Sequence, residues 1–253
     1  MKNRTKDKGF TLVELLVVIS IIALLLSILI PSLNRARKQS QKIVCGTRMK
    51  QTGISQIAWS MDHGGYATPL FEKWENYIGG GAPGSDTGLL WTEMLIKGKY
   101  AMDMNFFRCP IGNPNQRTIE NKKIPLNHQT MFTYALCRGL STWDPWRIDT
   151  GRLVRKDGHG FDGKDLKSMK TSEFILGGDS VNLYPPYIRP YGPEMQFYYF
   201  SPFTENSYDK LALRHLKTGQ FLMADGSVAN KDRTSLLNKH HVVDSAIHII
   251  TNN

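Results

Sequence analysis

The chain has 253 residues, of which 41% are hydrophobic and 21% charged, and its formal net charge at pH 7 is +10. This length allows one sizeable domain beyond any membrane segment. The positive charge is local: residues 1–9 supply +3, residues 34–50 supply +6, and the remainder carries +1. Because nucleic-acid binding needs a basic face on the folded domain, the composition predicts no nucleic-acid partner.

A long apolar run follows a short basic leader. Residues 1–9 hold four basic residues and one acid and end at Gly9, and the next 21 residues, Phe10 to Ile30, carry only one charge, on Glu14. At about 1.5 Å per residue the run spans roughly 30 Å as a helix, which is the thickness of a bilayer's hydrocarbon core. A carboxylate inside such a segment costs about 2.5–3.5 kcal/mol, so the sequence predicts a specific role for Glu14.

The run Gly9-Phe10-Thr11-Leu12-Val13-Glu14 resembles the N-terminus of type IV prepilins and type II secretion pseudopilins. The resemblance implies that a prepilin peptidase cuts after Gly9 and methylates the new N-terminal Phe10. It implies that Glu14 pairs with the N-terminal amine of a neighbouring subunit. The expected partners are therefore the peptidase, further copies of this chain, other pilin-like subunits and the membrane.

A signal peptide and a plain signal anchor both fit the apolar run less well. A signal peptide has an apolar core of about 7–15 residues, which is shorter than this run. A signal anchor matches the length but gives no role to Glu14. Both flanks of the run are basic, so charge orients it only weakly. The resemblance places the protein in the bacterial inner membrane as a single-pass protein, with its head in the periplasm or outside the cell.

The helix is predicted to continue beyond the membrane, from Phe10 to Met61, until Gly64-Gly65 ends it. Pro31 removes a backbone donor and predicts a kink or local melting there. The domains are predicted as a leader at 1–9, a membrane and assembly segment at 10–30, an amphipathic continuation at 31–62 and a head at 63–253. An apolar stripe on the continuation is predicted to pack on the head; it comprises Leu33, Ala36, Ile43, Thr47, Ile54, Ala58 and Met61.

The head mixes short helical and strand patterns. Leu89–Lys97 predicts a helix ended by Gly98, while Met131–Leu136 and Glu173–Asp179 predict strands. Residues 220–224 and 227–229 predict a hairpin with a type I′ turn at Asp225-Gly226. The predicted fold is α+β, with a long N-terminal helix packed on a C-terminal head that contains an antiparallel sheet.

A second resemblance lies in the head. His215, nine intervening residues and then Asp225-Gly226 resemble the C-terminal signature of large pilin-like proteins abundant in planctomycetes. Cys45 and the segment 107–110 around Cys109 are also similar to positions in that family. A structural role for His215 and Asp225 is favoured over a metal or catalytic pair. Neither GxSxG nor HExxH occurs, so no catalytic residue and no enzymatic activity is predicted.

The metal-binding possibilities are limited. Three cysteines, Cys45, Cys109 and Cys137, allow one disulfide with three possible pairings, and no CxxC spacing supports a zinc ribbon. The set His240, Asp244 and His248 has helical spacing, but the surrounding β-branched residues favour a strand or a helix followed by a strand. No cofactor is expected apart from a weak signal for calcium, which major pseudopilins bind; the candidate ligands are Asp179 and Asp225, with Asp157, Asp162 and Asp165 also available.

The sequence therefore predicts a structural subunit of a pilus-like or type II secretion pseudopilus filament. The alternative is a membrane-tethered binding or enzymatic module directed at polysaccharide, which would use exposed aromatic rings for sugar stacking; the candidates are Trp143, Trp146, Tyr184, Tyr187, Tyr191 and Tyr198. The sequence leaves open whether the filament is a pilus or a pseudopilus, whether the subunit is major or minor, and which cargo is moved.

Overall fold

A computed structural model describes residues 11–70, 89–112, 133–137, 146–147, 154–155, 170–183, 196–197, 199–200, 208–240, 242 and 244–250. The chain divides into two compact units, Met1–Ser40 and Gln41–Asn253. The helices are α1 (Leu12–Asp62), α2 (Trp91–Lys97) and α3 (Arg233–Lys239), with short 3₁₀ helices at Met104–Phe107 and Asp244–Ala246. The strands are β1 (Ala135–Cys137), β2 (Trp146–Arg147), β3 (Val154–Arg155), β4 (Ile175–Gly178), β5 (Ser180–Asn182), β6 (Tyr199–Phe200), β7 (Asp209–Leu213), β8 (Thr218–Met223), β9 (Val228–Asp232) and β10 (Ile247–Ile249).

The long helix has the predicted extent. It runs from Leu12 to Asp62, against a prediction of Phe10 to Met61. Gly64 and Gly65 follow with φ of 66° and 84°, and the Gly65 N–H donates to the carbonyl of Ser60 at 2.8 Å. Glycine reaches these left-handed angles without steric cost, which is why the helix stops at this pair.

Pro31 lies inside α1, and the helix continues on both sides of it, so of the two predicted effects the kink stays a prediction and local melting is not seen. The proline has no N–H, and the carbonyl of Ser27 therefore receives no donor from the position four residues later. The serine hydroxyls of this stretch bond back to their own helix: Ser27 donates to the carbonyl of Leu24 at 2.7 Å and Ser32 to that of Leu29 at 2.8 Å. A helix can carry such hydroxyls in an apolar medium because each donor is satisfied internally.

The predicted buried stripe of α1 is wrong, because the opposite face is the one that packs on the head. The buried positions are small or polar for the most part: Cys45, Met49, Thr52, Gly53, Ser55, Gln56 and Ser60. Ser55 donates to the carbonyl of Tyr100 at 2.8 Å, and the Gln56 amide donates to the hydroxyl of Thr68 at 2.7 Å. The head backbone approaches the helix closely here, so the contact needs small side chains and hydrogen-bonding groups.

The sheets confirm an α+β fold rich in antiparallel pairs. Among the described residues, one sheet has five strands in the order β6-β1-β4-β8-β9, another has three in the order β10-β7-β5, and β2 pairs with β3. Two pairings of these described strands are parallel, β1 with β6 and β10 with β7, and the sequence did not predict them. The chain passes from the five-stranded to the three-stranded sheet between β4 and β5, at Asp179.

The local predictions for the head fit where the structure describes it. The predicted helix at Leu89–Lys97 is α2, which ends at Gly98. The strand predicted at Glu173–Asp179 is β4, and that at Met131–Leu136 corresponds to β1, shifted towards Cys137. The C-terminal tail is a helix followed by a strand, α3 and then β10.

The predicted hairpin exists, but its turn type differs. β8 pairs antiparallel with β9, with Leu222 opposite Val228. Of the two predicted turn residues, only Gly226 has a positive φ, of 80°, and its N–H donates to the carbonyl of Met223 at 2.9 Å. This pattern is a type I turn followed by a left-handed glycine. The side chain of Asp225 completes it by accepting from the N–H of Ser227 at 2.8 Å.

Both positive angles of a type I′ turn occur instead between β7 and β8. Leu216 and Lys217 have φ of 54° and 62°. His215 and Thr218 flank them and exchange backbone hydrogen bonds of 2.9 and 3.0 Å. Neither turn residue is Asn or Gly, so the sequence carried no signal for this turn.

Gly226 also packs against α1, which yields a stability prediction. Its carbonyl accepts from the Lys50 amine at 2.8 Å, and a Cβ added at Gly226 would collide with Ile57 Cδ1. We expect Gly226→Ala to lower the free energy of unfolding by about 1.5–3.5 kcal/mol, since left-handed strain contributes about 1–2 kcal/mol and displacing the end of the Ile57 side chain about 0.5–1.5 kcal/mol.

Gly64→Ala is the matched control, because Gly64 is also left-handed but an added Cβ comes no closer than 3.9 Å to any other side chain. It should show only the conformational part, about 1–2 kcal/mol. Urea unfolding of the full chain in detergent, followed by tryptophan fluorescence, measures both variants. An equal loss of unfolding free energy in the two variants would show that the contact with Ile57 does not affect stability.

Candidate functional site

The N-terminal part of α1 presents apolar side chains on every face. From Leu12 to Ile30, each large hydrophobic residue is between 46% and 85% exposed. Among the described residues, α1 is the one helix long and apolar enough to cross a membrane by length and composition. A water-soluble helix would bury an apolar stripe, whereas a helix that is apolar all round requires lipid or other apolar helices around it.

Glu14 caps its own helix at this end. Its Oε2 accepts from the Thr11 N–H at 2.9 Å and from the Thr11 hydroxyl at 2.8 Å, while the Thr11 hydroxyl oxygen accepts from the Glu14 N–H at 3.2 Å. This is the reciprocal capping box of a Thr-x-x-Glu sequence. The carboxylate thus has partners within its own chain, and two lone-pair directions remain for a further donor.

The head contains a buried group of two cysteines and one histidine, which we name the Cys/His cluster: Cys45, Cys109 and His215. Their ligand atoms all lie within 4.8 Å of one another. Cys45 comes from α1, Cys109 follows the 3₁₀ helix Met104–Phe107, and His215 precedes the strained turn between β7 and β8. These residues are 0%, 3% and 2% exposed, so the cluster is shielded from bulk solvent.

The contacts inside the cluster are specific. Cys109 Sγ lies 3.3 Å from His215 Nε2, and the Tyr134 hydroxyl donates to Cys45 Sγ at 3.2 Å. Burial raises the pKa of the Cys109 thiol well above its usual value, and the neighbouring Cys45 raises it further. Burial opposes the charged imidazole of His215, but Cys109 and Asp179 outweigh this and raise the pKa of His215. None of the three cysteines of the chain is in a disulfide.

A buried ion pair lies beside the cluster. Asp179 accepts from Arg214 Nε at 3.0 Å, from Gln196 Nε2 at 3.1 Å and from the Ser180 N–H at 3.0 Å. Gln196 in turn accepts from the Cys109 N–H at 3.3 Å. Asp179 and Arg214 have side chains that are 0% and 2% exposed, so the pair is held out of water at the junction of the two sheets.

The structure separates the residues of the predicted signature. His215 pairs with Thr218 at the start of β8, whereas Asp225 follows Met223 at its end and is exposed. The two side chains therefore form no site together. The sequence did identify Cys45, Cys109 and His215 individually, but gave no sign that they converge.

The other metal candidates are also apart. His240 Nδ1 donates to the carbonyl of Glu173 at 2.6 Å, and Asp244 binds Arg233 through two hydrogen bonds of 2.7 and 2.5 Å. His248 lies in β10. Of the calcium candidates, Asp179 is engaged by Arg214 and Asp225 by its own turn.

Several predicted residues lie outside the part of the chain that the structure describes. These are the processing residues Gly9 and Phe10, the aspartates at 157, 162 and 165, and the aromatic residues Trp143, Tyr184, Tyr187, Tyr191 and Tyr198. Trp146 is described only as part of β2.

Comparison with known proteins gives a family match at the N-terminus and several similar proteins. Residues 4–30 match the family described as "Prokaryotic N-terminal methylation motif". The chain is 41% identical over 61 residues to the type IV wide pilus major component PilA4 of Thermus thermophilus, which is 24% of this chain and 47% of that protein. It is 36% identical over 73 residues to the competence protein ComGC of Bacillus subtilis, which is 28% of this chain and 74% of that protein.

A third relative is the ComG operon protein 3 homolog of Bacillus licheniformis, 39% identical over 59 residues, 23% of this chain and 61% of that protein. The chain thus spans between about half and three quarters of the length of these relatives. No solved structure matches the chain significantly. Residues 4–30, which match the family, include the exposed apolar part of α1 from Leu12 to Ile30 and Glu14.

Proposed function

Because the chain belongs to the family of prepilin-type proteins that carry the prokaryotic N-terminal methylation motif, we propose that it is a structural subunit of a pilus-like filament. The relatives are a pilus component, a competence protein and a ComG operon protein homolog, and none is named as an enzyme. The observation that carries the proposal is the helix from Leu12 to Ile30, which is exposed and apolar on every face within a matched segment. Before assembly lipid covers this surface, and in a filament the helices of neighbouring subunits cover it.

Processing by the prepilin peptidase creates the partner for Glu14. Cleavage after Gly9 leaves Phe10 as the N-terminal residue, with a charged amine once the leader is gone. The capping box fills part of the acceptor capacity of Glu14, and an incoming ammonium fills the rest. Pairing the carboxylate with this amine removes two charges from lipid at once, so subunit addition is favoured by charge as well as by packing.

The exposed apolar stripe of α1 within the second compact unit, Gln41–Asn253, supports the same proposal. Ile43, Ile54 and Met61 are 62%, 58% and 79% exposed and point away from the face that packs on the head. An apolar stripe left open on a folded subunit indicates a surface that another protein covers. In the proposed filament this stripe extends the contact between neighbouring helices beyond the membrane segment.

The basic segment fits a membrane-proximal position. Arg35, Arg37 and Lys38 are exposed on α1 immediately after the apolar run. Basic residues at this level attract anionic headgroups by about 1 kcal/mol each. The proposed location is the bacterial inner membrane, crossed once, with the leader in the cytoplasm and the head outside it. A type II secretion pseudopilus is the alternative assembly, since it uses the same helix and processing.

The mature N-terminus tests the processing step. We expect intact-mass and peptide mass spectrometry of the protein from its native membrane to show a chain beginning at Phe10 with one methyl group on its amine. Gly9→Leu is the control, because a bulky residue at the cleavage site should leave the leader attached. Wild-type protein that retains Met1 while inserted in the membrane would overturn the proposal.

A further inference from the structure

We propose that the Cys/His cluster of Cys45, Cys109 and His215 binds a metal ion with a filled d shell, for which Zn²⁺ is the expected ion. The site lies in the head and is independent of filament assembly. It would join α1 to two separate parts of the head: the segment after the 3₁₀ helix and the turn between β7 and β8.

The arrangement of the ligand atoms suits zinc. Zinc binds cysteine sulfur at about 2.3 Å and histidine nitrogen at about 2.0 Å, so two ligands of a tetrahedral site lie roughly 3.5 Å apart. Cys109 Sγ and His215 Nε2 are 3.3 Å apart, and all three ligand atoms lie within 4.8 Å. Small side-chain rotations would therefore bring all three ligand atoms into tetrahedral positions. The fourth position would remain for a water or a neighbouring side chain.

The charge balance favours a divalent ion. Two thiolates and one neutral imidazole carry a charge of −2, so Zn²⁺ makes the buried centre neutral, whereas a monovalent ion leaves one negative charge in the core. The adjacent Asp179 does not disturb this balance because Arg214 neutralises it. Calcium is excluded from this cluster by ligand type, since hard cations require oxygen ligands.

Without a metal the cluster is poorly satisfied. Within the described residues, Nε2 of His215 has only the weakly bonding sulfur of Cys109 as a hydrogen-bond partner. A metal would replace the weak N···S contact by two coordinate bonds, and the Tyr134 hydroxyl would then donate to the thiolate of Cys45.

The test uses the full-length chain in detergent, kept reduced with a phosphine and stripped with a chelator. Co²⁺ is the spectroscopic probe, since tetrahedral thiolate coordination gives intense visible and near-ultraviolet bands. We expect one equivalent of Co²⁺ to bind and one equivalent of Zn²⁺ to displace it. Cys109→Ser should weaken zinc binding by more than about a hundredfold, because a direct ligand matters more than the outer groups that alone contribute 10–100-fold.

Cys137→Ser is the matched control. Cys137 is also buried, in β1, but it lies outside the cluster, so this variant should bind zinc as the wild type does. A second measurement does not depend on any variant folding: Zn²⁺ at about a thousandfold above its Kd should raise the Tm of the wild-type chain by about 8–16 °C. Calcium at the same concentration should leave the Tm unchanged.

Three results would overturn the proposal. The first is wild-type chain that binds neither Co²⁺ nor Zn²⁺ at one equivalent. The second is loss of metal in Cys137→Ser to the same degree as in Cys109→Ser. The third is a Cys45–Cys109 disulfide in protein alkylated without reduction directly from cells, because a disulfide consumes both thiolates.

Discussion

Glu14→Ala is expected to permit membrane insertion and leader cleavage but to abolish incorporation into filaments. The variant removes the acceptor for the amine of the neighbouring subunit, and a hydrogen bond to a charged group is worth about 1.5–3 kcal/mol. This corresponds to roughly a ten- to hundredfold loss in the association constant of each subunit. Because this loss applies to every added subunit, the filament yield should fall to background. Electron microscopy and an immunoblot of sheared filaments measure this yield.

The capping box complicates the alanine variant, since Glu14 also stabilises its own helix. Two further variants separate these roles. Glu14→Gln can keep the capping box but loses the charge, whereas Thr11→Val breaks the capping box and keeps the charge. If the proposed pairing drives assembly, Glu14→Gln fails as Glu14→Ala does, and Thr11→Val still assembles.

If Glu14→Gln assembles and Thr11→Val does not, the role of Glu14 is helix capping alone. Normal filament yield from Glu14→Ala would contradict any role in assembly. Leader cleavage, followed by the shift in mass, is the internal control in every variant, because a chain that is never processed cannot assemble for reasons unrelated to Glu14.

The extent of the long helix was predictable because its limits depend on neighbours in sequence. A run of apolar residues requires helix in lipid, where each backbone group must bond within its own segment. Gly64-Gly65 ends the helix through local backbone freedom. The same reasoning gave α2, β4 and the β8–β9 hairpin, all of which have short-range signals.

The face of α1 that packs on the head was predicted wrongly. The prediction followed the apolar periodicity of the helix, which identifies the buried face only when apolar residues are buried in the same subunit. Here the head contacts Gly53, Ser55 and Gln56 through hydrogen bonds and close backbone approach. The apolar positions such as Ile54 and Met61 stay exposed. For a subunit of a polymer, periodicity identifies an apolar face but does not say which molecule covers it.

The Cys/His cluster was out of reach for a similar reason. Its members come from three separate elements, and Cys109 and His215 alone are 106 residues apart in sequence. Metal motifs are recognised in sequence when ligands are close together, as in CxxC. The available signal was chemical: two cysteines and a histidine each stood at a position of the second family resemblance.

The buried pair of Asp179 and Arg214 should have the largest effect on stability. In Arg214→Met the carboxylate of Asp179 remains in the core without its cation, and breaking a buried ion pair in this way costs about 3–5 kcal/mol. For a chain of this size the Tm should fall by roughly 6–20 °C. Differential scanning calorimetry of the full chain in detergent measures this shift.

The exposed pair of Arg233 and Asp244 is the matched control. Its side chains are 51% and 55% exposed, so Arg233→Met should cost less than about 1 kcal/mol. The double variant Asp179→Asn with Arg214→Met removes both charges and keeps an oxygen that accepts from the Ser180 N–H and Gln196. It should regain about 0.5–3 kcal/mol over Arg214→Met, since residues in contact couple by this amount. A double variant less stable than Arg214→Met would contradict this expectation. It would mean that Asp179 stabilises the sheet junction through its hydrogen bonds, and that its buried charge is tolerated without Arg214.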